Sequence, residues 1–107
     1  MKRGTYRITC KNSEGLYQRT IWGYLFEMDG LEFGCSNRWI DDDGKVHQYD
    51  GWVVTELVTG YKIATAPKKR NVEECTRMHI GEIKDFIQTN YQVLSARNKT
   101  LPVKGGK

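Results

Sequence analysis

Residues 61–87 read YKIATAPKKRNVEECTRMHIGEIKDFI. Tyr61–Ala66 follows the Thr59-Gly60 turn and reads as a short strand. After Asn71 the apolar side chains recur every third or fourth residue, as on a helix face. Pro67 has no N–H to give a ladder, so it ends the strand. The spacing predicts a strand over 61–66 and a helix from about 72 into the low or middle nineties. Asn71 is the expected N-cap, with Glu74 as its capping-box partner. Val72, Cys75, His79, Ile80, Ile83, Phe86, Ile87, Tyr91 and Leu94 fall within one broad arc at about 100° per residue.

Strict alternation appears nearer the N-terminus. Tyr6, Ile8 and Cys10 share one side of a strand over 5–11, with Arg7 and Lys11 on the other. A second strand, 16–28, puts Trp22, Tyr24, Phe26 and Met28 on one face and Tyr17, Ile21 and Leu25 on the other. Asp29-Gly30 is a strong hairpin signal. A third strand, 31–40, gathers Leu31, Phe33, Cys35 and Trp39. Trp52–Val58 reads as a fourth strand, closed by a Thr59-Gly60 turn. The expected fold is α+β: a five-stranded, mostly antiparallel, curved meander followed by one long C-terminal amphipathic helix packed on its aromatic face. The second apolar stripe (Tyr17, Ile21, Leu25, Val53 and Leu57) implies that the sheet curls or meets a partner.

The length of 107 residues suits one domain, here taken as 1–96, with 97–107 as a basic flexible tail. The formal charge is +4, yet all thirteen acidic residues and thirteen of the seventeen basic ones lie within 1–96. The excess is Arg97, Lys99, Lys104 and Lys107. Three widely spaced cysteines suggest reduced thiols and a cytoplasmic setting rather than a disulfide framework. No apolar run reaches membrane-spanning length, and no signal peptide is expected.

The most chemical-looking stretch is Asp41-Asp42-Asp43-Gly44. Aligned as a calcium loop with Gly44 at the sixth position, it places Trp39 first and Asp50 twelfth, which removes one ligand and shortens another. A hairpin turn accounts for it better. Cys75 and His79 have zinc-ligating spacing, with Cys10 or Cys35 as third ligands, but they lie on the core arc, where a thiol is desolvated and inert. No metal, cofactor or catalytic constellation is expected. The remaining readings concern binding. In the first, a protein partner docks on the outer sheet face, with Tyr17, Ile21 and Leu25 as anchors and Arg19 and Arg38 beside them; a homodimer through a sheet edge is the related possibility. In the alternative, nucleic acid is held by Arg7, Lys11, Lys62, Arg19 and Arg38 around Tyr17, with Lys68, Lys69 and Arg70 at the helix start.

Lys68-Lys69-Arg70 before a helix resembles the last helix start of double-stranded-RNA-binding domains over about residues 61–87, although Glu73 and Glu74 stand where that family is small and basic. A basic sheet carrying an aromatic is similar to integrase arm-binding domains. The run from Trp52 through the Thr59-Gly60 turn to Ile87 resembles the ending of many small bacterial and phage proteins. That likeness implies a bacterial or mobile-element origin and assigns no activity; a small non-enzymatic accessory protein is the separate expectation drawn from the absence of a catalytic constellation.

Overall fold

The computed structural model describes residues 1–104. Alternation yields β1 (Lys2–Asn12), β2 (Gly15–Met28), β3 (Leu31–Ile40), β4 (Val46–Glu56) and β5 (Lys62–Ala66). They form an antiparallel meander in the order β1-β2-β3-β4-β5. At the β2–β3 turn both Asp29 (φ 52°) and Gly30 (φ 82°) are left-handed, as a two-residue hairpin of this hand requires. Helical structure follows as a single 3-10 turn (Lys69–Asn71), α1 (Val72–Arg77) and α2 (Ile80–Thr100), and a short β6 (Val103–Lys104) ends the described chain. The fold class is the α+β meander expected from the sequence. Among the described residues, no helix is long and apolar enough to cross a membrane.

The sheet curls. The Thr9 N–H donates to the Gly60 carbonyl at 2.7 Å, and its hydroxyl to the Thr59 carbonyl at 2.7 Å. The first strand thus meets the turn that follows the fourth. Tyr6 and Ile21 pair across β1 and β2 and are buried inside the curl. The Tyr6 ring lies over Gly34, where a Cβ would overlap it. The stripe that the sequence left open for a partner is therefore largely consumed by curvature.

On the other face Met28, Phe33, Cys35, Val54, Ala64 and Ala66 form a core with Val72 and Ile80. One continuous helix was expected there, and the structure divides it. Thr76 is fully buried, and its hydroxyl donates to the Val72 carbonyl one turn back at 2.8 Å, a bond that bends helices. His79 N–H then reaches only the Thr76 carbonyl, three residues back. The break shifts the helical phase, so α2 buries Ile80, Ile87 and Leu94 while Phe86 and Tyr91 are exposed. Asn71 lies inside the 3-10 turn and makes no side-chain cap.

The boundary at residue 96 also moves. Arg97 donates to the Thr59 carbonyl and the Tyr61 hydroxyl, and Asn98 to the Val58 carbonyl. These bonds carry α2 to Thr100, and β6 then pairs in parallel with Gln18 and Arg19 of β2. Residues 97–104 belong to the fold; the last three residues of the expected tail lie outside the described residues.

Two outcomes follow from this packing. Gly34→Ala should cost about 1–3 kcal/mol by overpacking against Tyr6. A Tyr6→Leu partner change should recover part of that loss in a denaturant-melt double-mutant cycle. Burial raises the Cys35 thiol to about 11 and raises the Tyr6 phenol as well. Both raised groups favour the fold below their unfolded values, so stability should decline as pH rises from about 9 towards 11. Urea midpoints across that range check the sign, and Cys35→Ala should flatten the first part of the slope.

Candidate nucleic-acid interface

Strand β2 pairs with β1 from Gly15 to Leu25, but β3 pairs with it only over Tyr24–Met28. A bulge between Ser36 and Arg38 turns β3 away, and Arg38, Trp39 and Ile40 pair with β4 alone. The two strands fork. Ser36 holds the branch point: its buried hydroxyl lies 2.8 Å from the Arg38 carbonyl and 3.1 Å from the Trp22 carbonyl, and it accepts the Arg38 N–H. At the vertex the strands approach so closely that a Cβ on Gly23 would overlap the Cys35 carbonyl.

Arg19 spans the lower gap. Its guanidinium donates to the Ile40 carbonyl at 3.0 Å, pairs with Asp42 at 3.1 Å, and lies over the Tyr17 and Trp39 rings. Only 6% of the residue is exposed. Lys104 of β6 covers Tyr17 further, at 4.8 Å from its centroid.

Above this seal, on the helix side of the sheet, the fork opens into a cleft of about 770 Å³. Trp22, Tyr24, Trp39 and Trp52 line it, together with the cations Arg3, Arg38 and Lys69; among the described residues no carboxylate does. No residue of α1 or α2 lines it: Val72 of α1 joins the core that holds Val54 and Phe33, with Tyr24 and Trp52 packed against that core. Trp22 is 54% exposed. The Lys69 ammonium stands 3.4 Å from the Tyr24 centroid, and Arg3 reaches the same ring at 5.9 Å. Tyr24 and Trp52 are tilted by 49° at 6.1 Å, too oblique for a planar ligand to slip between them as parallel plates.

The residues assigned from sequence do not assemble as expected. Ile21 and Arg19 are buried, and Tyr17 and Leu25 half-buried, by the curl and by β6. Those four cannot form an exposed docking face; of that set only Arg38 is exposed. The alternative patch is split. Arg7 and Lys11 alternate with Ile8, which pairs with Arg19, so they project from the opposite face to Arg19. Arg7, Lys11, Lys62, Lys68 and Arg70 are exposed, but of the basic loop only Lys69 enters the cleft. Arg3, Trp22, Tyr24, Trp39 and Trp52 carried no functional assignment, because strand aromatics on the helix side read as core. The available signal was quantity: the aromatic face is longer than one helix can cover.

The other candidates resolve as local structure. Asp41 accepts the Asp43 and Lys45 N–H groups and His47 Nε2 at 2.7 Å, which is a tied-off turn. The His47 bond, then the Lys45 N–H, hold its carboxyl below the usual range. Cys75 is half-buried and His79 exposed at the helix break. Among the described residues no group of three or more metal-ligating side chains forms. Comparison with known proteins finds no matching family model, curated protein or solved structure.

Arg19 should prove structural. Arg19→Ala leaves the Ile40 carbonyl without its donor and unstacks Tyr17 and Trp39. A loss of about 1–3 kcal/mol is expected in chemical denaturation. Lys11→Ala, on the exposed face, should fall within about 0.5 kcal/mol of the parent.

Proposed function

We propose that this protein is a small, non-catalytic nucleic-acid-binding module that holds an unpaired strand in the forked cleft. The observation that carries the reading is that four aromatic residues and three cations line one concave surface, with no carboxylate among its described lining residues. Stacking of a base on an aromatic side chain is worth about 1–3 kcal/mol and tolerates any sequence, while lysines and arginines neutralise the backbone. An aromatic box for a cationic ligand has similar rings, but three resident cations would repel its cargo.

Spacing favours an unstacked strand. Trp22 and Tyr24 are two residues apart on one face of β2, about 6.6 Å along the strand. That is roughly twice the 3.4 Å rise per nucleotide within a duplex strand. Bases resting on both rings must have separated from one another. The serine of the cleft wall, Ser36, has its hydroxyl engaged by two carbonyls, which supports binding rather than chemistry at that residue. Three free cysteines accord with a cytoplasmic setting. The protein-docking reading is weakened, since its anchor Ile21 and the neighbouring Arg19 are buried and its other anchors, Tyr17 and Leu25, are half-buried.

Fluorescence anisotropy with a labelled single-stranded thymidine 12-mer and a duplex of equal length tests this. The single strand should bind more tightly, with a log–log salt slope of roughly −2 for three cations. Trp22→Ala should weaken it about tenfold or more, the equivalent of one stacked base. A chain ending at residue 104 should bind like the full chain. Equal affinity for duplex, or indifference to Trp22→Ala, overturns the proposal.

A further inference from the structure

Resting on that reading, we propose that Lys69 is an exchangeable placeholder: it covers the Tyr24 ring until a base takes that face, and then pairs with the phosphate of the same strand. The residue would thereby select ligands that carry a base and a phosphate together.

The geometry is particular to this lysine. Lys68, Lys69 and Arg70 are consecutive, but the 3-10 turn exposes the first and last and turns the middle one inward over Tyr24. Its ammonium has no ion-pair partner among the described residues. Glu73, one turn onward, is not within ion-pair distance. What holds the ammonium is the quadrupole of one ring, at 3.4 Å, an attraction that is modest at a site open to water. A stacking base covers more of the ring than an ammonium does. The displaced charge stays close because it is tethered by a flexible four-carbon stem, and the strand that displaced it brings a phosphate. Arg3 and Arg38 line the same cleft and are left to neighbouring phosphates. A neutral nucleoside would have to evict the ammonium with no compensating anion, and inorganic phosphate would draw it off with nothing to cover the ring.

Proton NMR reads the exchange directly. In the protein without nucleic acid, ring current should shift the Lys69 ε-methylene upfield relative to that of Lys68. Saturation with the thymidine 12-mer should return it to the ordinary lysine position, whereas thymidine or inorganic phosphate at equal concentration should not. Lys69→Met keeps the stem and removes the charge; it should make the salt slope shallower by roughly 0.7. An ε-methylene that stays ring-shifted in the complex, or an unchanged slope in Lys69→Met, overturns the placeholder role. If Trp22→Ala still weakens the 12-mer in that case, the binding function stands without it. If the parent protein binds no single strand, both fall together.

Discussion

A mismatch of strand lengths controls this molecule. β2 is 14 residues long, but its register with β3 ends at Tyr24. A sheet cannot leave one edge of an interior strand bare without either solvating its backbone or supplying substitutes. Here the substitutes are specific. β6 pairs with Gln18 and Arg19, Ser36 reaches the Trp22 carbonyl, and Arg19 caps Ile40 across the gap. The bulge at Ser36 creates the fork, and these groups keep it from either closing or fraying. The cleft is the part of the fork that they leave open.

Arg19 shows why a cation beside aromatics is not by itself a binding site. Its planar head can stack on two rings while its N–H groups meet a carbonyl and a carboxylate in one plane. Burial disfavours its charge, but the Tyr17 contact and Asp42 more than compensate, and the guanidinium is held more firmly protonated than usual. Such a group is already satisfied. Lys69 has a ring and, among the described residues, no ion-pair partner, and Arg38 is exposed. Spare bonding capacity, more than residue type, separates the arginine that builds the fork from the cations that can serve a ligand.

Much of the fold was legible because it follows from period. The strands over 16–28 and 31–40, the Asp29-Gly30 turn and the switch to helical spacing after Pro67 all rest on local rules. β4 was not legible from its start, because its first segment inverts the usual pattern: Val46 is exposed while His47 and Tyr49 are half-buried. His47 turns inward because Trp39 stacks on it at 4.4 Å, a contact between strands that no single-strand pattern encodes. The helix break depends on Thr76 being buried, which is tertiary information. The curl had been one of two options for the Tyr17–Ile21–Leu25 stripe, and Tyr6 over Gly34 decides it. The site was least legible. Whether a strand aromatic is core or surface depends on where a covering helix ends, and α1 ends after six residues.

The exposure of Trp22 is the last point that needs a cause. Its cross-strand neighbour is Thr5, and a threonine or lysine in its place would suit a solvent-facing strand position. An indole left 54% exposed forgoes burial worth about 25 cal/mol per Å² of apolar surface and invites association with other chains. The Gly23 vertex, the Ser36 bulge and the Arg19 bridge are all made without the indole. The three cations beside it disfavour self-association by placing like charges around the ring, yet they would attract a polyanion. A largely exposed ring that shares its cleft with charges of one sign is costly for a purely structural surface. It is economical for a surface that meets a base and its phosphate together.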